Sequence, residues 1–142
     1  MEKCARDAGR IFAGTLSKKE SYRTEETILT EYLFKDAVWV RGGDGSDSAS
    51  VIMQGGSHGG MVVHVEGTPD LEIGKRFVVF AQSPEQSDRT HHYLTIRPNC
   101  LCRVLGVEKL RDVETPAGWK GRRFRTENEL LRALRSLVAP GD

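Results

Sequence analysis

At 142 residues the chain has the length of one domain, enough for a self-sufficient core, while its hydrophobic share of 38% and aromatic share of 7% lie below the usual apolar content. A formal net charge of +1 excludes a whole-molecule field of the kind that draws a protein to nucleic acid or to an anionic membrane. No apolar run approaches the roughly eighteen residues of a membrane-crossing helix, and the 15 glycines point to short elements joined by tight turns, which argues against a long helical bundle.

Cys4 to Arg10 reads as a short polar helical turn ending near Gly9, followed by a strand from Ile11 to Leu16 in which Gly14 marks a bulge or a close backbone approach. Lys18 to Arg23 reads as a charged connection. The strongest strand pattern runs from Thr27 to Val40, where Ile28, Thr30, Tyr32 and Phe34 alternate onto one face and Asp36 marks a bend or bulge. Gly42 to Ser50 has nothing to bury and reads as a mobile loop. Val51–Met53 and Met61–Val65, joined by the sequence QGGSHGG, read as the two arms of a hairpin, because glycine alone adopts positive φ without penalty. After a loop containing Pro69, Arg76 to Gln82 is apolar on both faces and is expected at the centre of the sheet.

His92–Arg97 and Leu101–Val107 read as the last strands, separated by a turn at Pro98 and Asn99. Arg111 to Phe124 has no clear period and reads as loop. Thr126 followed three residues later by Glu129 is a capping box, and Leu130, Leu131, Leu134, Leu137 and Val138 then form one apolar stripe that stops at Pro140 and Gly141. The chain is thus read as one domain over residues 1–142, with a strand region at about 9–107, a connection at about 108–125 and a helix at about 126–139.

The stretch GGMVVHVEGTPDLEIGKRFVVF from Gly59 to Phe80, together with CARDAGRIFAGTLSKKESY near the start, resembles a pattern of bacterial extracytoplasmic domains of uncharacterised role. Its layout is similar to netrin-like domains and the N-terminal domains of tissue inhibitors of metalloproteinases. That resemblance implies a mainly β fold, an OB-fold-like closed or partly open antiparallel barrel of five to seven strands with a C-terminal α-helix. It speaks for fold alone. Three cysteines cannot reproduce the several disulfides usual in netrin-like domains, and Cys4 is preceded by three residues, so metalloproteinase inhibition is not carried over.

Ser57 and His58 lie in a G-x-S-x-G match, a nucleophile elbow where a strand-to-helix turn exposes the serine. Here a strand pattern follows instead, which favours a glycine-rich turn. His91, His92, Cys100 and Cys102 are candidate metal ligands, since strand residues two apart share a face, but C-x-C is a weak zinc pattern. A disulfide from Cys4 to either Cys100 or Cys102 is the stronger expectation. Tyr22, Tyr32, Trp39, Tyr93 and Trp119 are candidate base-stacking platforms, for which the plain alternative is core packing. Six basic residues, Arg122, Arg123 and Arg125 among them, face two acidic ones between Gly118 and Arg135, a local patch that ordinarily marks a solvated helix face.

These features favour a non-catalytic module that binds a protein or a cell-envelope component through Ser57, His58 and the Gly42–Ser50 loop. The alternative is an OB-type binder of single-stranded nucleic acid using Arg122, Arg123 and Arg125; a small hydrolase or metal protein comes third. No cofactor is implied. The first twenty residues carry no apolar leader core, so an extracytoplasmic setting would need a signal peptide already removed, and otherwise the setting is cytoplasmic.

Overall fold

The computed structural model describes residues 1–25, 27–43, 45–64, 71–82, 95–96, 100–104, 113–115, 119 and 124–138. In chain order these form α1 (Glu2–Asp7), β1 (Arg10–Arg23), β2 (Ile28–Arg41), β3 (Ala49–Gln54), β4 (Gly56–His58), β5 (Met61–Val63), β6 (Arg76–Gln82), β7 (Thr95–Ile96), β8 (Cys102–Val104), β9 (Val113–Glu114) and α2 (Glu127–Leu137). The fold is mainly β. Seven strands make one antiparallel sheet in the order β3-β2-β1-β6-β8-β9, with β7 also paired to β6, while β4 and β5 form a separate two-stranded sheet.

A closed barrel is not found among the described residues. β6 carries β1 on one side, and on the other it is shared between β8, against Arg76–Val78, and β7, against Ala81 and Gln82. β7 lies close to β3 at the far edge of the sheet, but no ladder joins them. The strand pairing does not confirm the expected count of five to seven barrel strands.

Period-two alternation sorts the core into two layers. From β1, Ile11 and Ala13 point to one face and Phe12 and Leu16 to the other; from β6, Val78 and Phe80 join the first layer and Phe77, Val79 and Ala81 the second. The first layer is roofed by α1 and α2 through Ala5, Ala8, Leu130, Leu131 and Leu134, and includes Trp119, set edge-on to Phe80 at 5.7 Å. The second is built on Phe12, Phe34 and Phe77, with ring centroids 5.3 and 6.4 Å apart in T-shaped contacts. Central placement of Arg76–Gln82, covered on both faces, matches its apolar run.

Four expectations need correction. The first strand does not stop at Leu16: Lys18 to Arg23 continue in register with Leu33 to Ile28. A main-chain ladder needs no apolar side chains, and Ser17 to Glu20 are exposed, with Ser17 Oγ and Lys19 Nζ donating to the Leu33 and Leu71 carbonyls at 3.1 Å each. The partner of β3 is β2, with Tyr32 opposite Val51, so the expected hairpin between Val51–Met53 and Met61–Val65 is replaced by a short one, β4–β5. The Gly42–Ser50 segment is tied to the sheet rather than free, because Trp39 Nε1 donates to the Ser46 carbonyl at 2.7 Å, the Ala37 amide donates to the Asp47 carbonyl at 2.9 Å, and Ala49 and Ser50 belong to β3. Within Arg111–Phe124, Val113 and Glu114 pair with β8, and Val113 also bridges to Phe124.

Asp36 bends β2 as expected. It has φ +52°, the sole positive value among the described non-glycine residues, where β2 carries an extra residue relative to Ala13 and Thr15. Opposite it, Gly14 permits the close approach: a Cβ there would sit 2.9 Å from that of Phe34.

α2 is capped and anchored. Thr126 Oγ1 accepts from the Glu129 amide at 3.1 Å, while the Glu129 carboxylate reaches one residue beyond the capping-box pattern, to the Arg125 amide at 3.4 Å. Glu127, in the first turn, takes both Nε and Nη2 of Arg76 from β6, and Arg76 Nη1 donates to Thr15 Oγ1 at 3.2 Å. A bidentate pair with both side chains only 11% and 15% exposed fixes the helix over the sheet.

Candidate functional site

β4 and β5 are held by glycines that the flanking geometry requires. Gly59 and Gly60, at φ +58° and +83°, give the two-residue connection both positive φ values of a tight hairpin turn of the I′ kind. At the base, Gly55 and Gly56 take φ +111° and +130°, turning the chain out of β3 and across β1 and β2. A Cβ on Gly56 would lie 2.4 Å from Thr30 Oγ1 and 2.6 Å from Ser21 Oγ, so no other residue fits without displacing them.

Those two hydroxyls tie the hairpin base to the sheet. Thr30, 6% exposed, donates through Oγ1 to the Gly55 carbonyl at 2.7 Å. Its single proton is then committed, so in the 2.8 Å contact between Ser21 Oγ and Thr30 Oγ1 serine is the donor. The Gly55 amide completes the anchor by donating to the Ile28 carbonyl at 2.8 Å.

The register puts Ser57 opposite Val62 and His58 opposite Met61, with Gly56 opposite Val63. Opposed residues share a face, so Gly56, His58, Met61 and Val63 lie on the side turned to β1 and β2, and Ser57 and Val62 on the outer side. Exposure follows this division: Met61 is 42% exposed and Val62 74%. A rigid base thus presents a β-branched apolar side chain to solvent, and the outer edge of β5 has no strand beside it among the described residues.

Ser57 and His58 are both exposed, but as strand neighbours they point to opposite faces, which does not make a nucleophile and its base. The chain after them is β5, so the elbow's helix is replaced by a strand. The hairpin lies beside Ser21 and Thr30, whereas the 42–48 connection lies beside Gly9, Arg10 and Trp39 at the other end of β2. The two segments expected to share one binding surface are therefore held apart.

Cys100 is bonded to Cys4, with Sγ atoms 2.02 Å and Cα atoms 5.7 Å apart, so it is not a thiolate ligand. Cys102 is a buried thiol that burial pushes up to about 12, with the Met1 amino group opposing the shift. His91 and His92 lie outside the described residues, among which no group of three or more metal-ligating side chains occurs. Arg125 is exposed at the start of α2; Arg122 and Arg123 lie outside the described residues. Of the candidate stacking aromatics, Trp119 is buried under Phe80 and Trp39 packs on Phe12 with its ring nitrogen engaged, while Tyr93 lies outside the described residues.

Among the described residues no helix is long and apolar enough to cross a membrane. No protein family, curated protein or solved structure matches the chain.

Proposed function

We propose that this chain is a non-catalytic binding module, built on an OB-type, netrin-like layout, that engages a protein or cell-envelope component through the β4–β5 hairpin. The carrying observation is Val62. It is 74% exposed, β-branched, and set beside Ser57 on a hairpin whose base is locked by Ser21 and Thr30. An isolated exposed apolar residue is ordinary, but one on a pre-ordered strand edge contributes to binding without an ordering cost. The closeness of β7 to β3 supports the barrel-like layout, and the Cys4–Cys100 bridge supports an oxidising, extracytoplasmic setting.

The test compares the natural chain with Val62→Asp for retention of a solubilised envelope fraction and of a fluorescent single-stranded oligonucleotide. Envelope retention that falls about tenfold in Val62→Asp, with an unchanged circular dichroism spectrum, is the expected result. Salt-sensitive retention of the oligonucleotide that ignores Val62 would overturn the reading in favour of a nucleic-acid binder using Arg125 and its neighbours. Covalent capture of Ser57 by a fluorophosphonate would overturn it in favour of a hydrolase.

A further inference from the structure

All three cysteines lie on the sheet face covered by the helices. Cys100 and Cys102 are two residues apart and both belong to the first core layer, whereas Leu101 between them packs toward the second. Cys4 comes down onto this face from α1, bonded to Cys100, and Met1, Ala5 and Ala8 pack into the same layer. Cys102 is fully buried there, paired through its backbone with Val78 of β6.

α1 depends on tertiary contacts to stay in place. It is six residues long, too short to be stable without tertiary contacts, and its Met1 cap makes no side-chain hydrogen bond. The bridge and Arg41, whose Nη1 donates to the Ala5 and Ala8 carbonyls at 3.2 Å each, help to hold it in place. The bridge closes a sequence separation of 96 residues, so cutting it restores much conformational freedom to this end of the chain.

We propose that α1 is a redox-controlled lid: the Cys4–Cys100 bridge clamps it over the Cys102 thiol, and reduction of that bridge lifts α1 and makes Cys102 an alternative partner for Cys4. In the reduction step a small-molecule thiolate attacks Cys4 Sγ. The bond between Cys4 and Cys100 breaks, a mixed disulfide forms on Cys4, and the Cys100 thiolate leaves and takes up a proton. In the exchange step the Cys102 thiolate attacks Cys4 Sγ, the Cys4–Cys102 bond forms, and the small thiolate leaves with the proton that Cys102 gave up. No further oxidant or reductant is consumed. While the lid is shut the second step is closed off, because a thiol buried this deeply, pushed up to about 12, supplies almost no thiolate at neutral pH.

The experiment follows alkylation of Cys102 by N-ethylmaleimide in the full chain, mapped by peptide mass spectrometry, with the bridge intact and after reduction by a phosphine. Return of the thiol from about 12 toward its ordinary 9.0 corresponds to roughly a thousandfold more thiolate near pH 8, so labelling is expected to rise by at least about a hundredfold on reduction, with the far-UV β signature retained. Equal labelling before and after would overturn the lid, and so would loss of the β signature, which would mean global unfolding. In a glutathione redox buffer, Cys100→Ser is expected to yield a Cys4–Cys102 bridge, and recovery of glutathionylated Cys4 alone would overturn the exchange step. If Cys100→Ser does not fold, the natural chain titrated with glutathione decides the same point: a Cys4–Cys102 peptide is expected, and its absence overturns the exchange.

Discussion

Replacing Gly56 by alanine puts a methyl carbon 2.4 Å from Thr30 Oγ1, 2.6 Å from Ser21 Oγ and 3.3 Å from Ser21 Cβ. All three distances are inside van der Waals contact, and the nearest atoms belong to a hydrogen-bond chain ending on the Gly55 carbonyl. Two costs combine. A side chain at φ +130° sits in a region open essentially to glycine, at about 1–3 kcal/mol, and displacing Thr30 breaks a buried hydrogen bond at about another 1–3 kcal/mol. Reduced freedom of the unfolded chain returns about 0.4–1 kcal/mol, leaving a net loss of about 1–6 kcal/mol. The control is Gly60→Ala, whose φ is +83° but whose added Cβ meets nothing within 4 Å, so only about 1–2 kcal/mol of backbone strain applies.

Because β4 and β5 form their own two-stranded sheet, the direct readout is amide exchange across residues 56–63, supported by urea unfolding. Gly56→Ala should accelerate exchange there well beyond Gly60→Ala. Equal behaviour of the two variants would refute the claim that the hydroxyl pair anchors the hairpin base.

Glu127→Gln should destabilise the chain by about 3 kcal/mol in urea melts, because the largely buried Arg76 keeps its charge and loses its partner, and a change within experimental error would show that α2 is not anchored there. Joint replacement of Cys4 and Cys100 by serine should cost about 4–5 kcal/mol from the loop it opens, read as a lowered Tm, and an unchanged Tm would contradict that role for the bridge. Cys102 also gives stability a pH dependence. Its thiol is pushed from 9.0 up to about 12, so the folded state keeps a proton that the unfolded state loses, and its contribution is complete below about pH 9 and falls by about 1.4 kcal/mol per pH unit toward 12. Cys102→Ala should lack this slope, and identical slopes would contradict the assignment.

The features legible in the sequence were those carried by local chemistry. Thr126 and Glu129 announce α2, the apolar run Phe77–Phe80 announces a strand buried on both faces, and Asp36 announces a bend. What escaped was set by partners distant in the chain. Nothing in Lys18–Arg23 reveals that it ladders against Ile28–Leu33, since the segment offers no apolar alternation and its pairing is carried by the backbone. The QGGSHGG segment contains two glycine pairs, and only the contact of Gly56 with Ser21 and Thr30 shows that the first pair is an anchor and the second the turn. Cysteine spacing likewise left Cys100 and Cys102 equivalent as partners of Cys4; the packing of α1 separates them.

Amide-exchange mass spectrometry of the full chain, with and without a solubilised envelope fraction, tests the proposed binding role of the hairpin most directly. Protection is expected at residues 56–63, and to vanish in Val62→Asp. Protection confined to the exposed face of α2 around Arg132 and Arg135, or protection at the hairpin that survives the Val62 substitution, would contradict it.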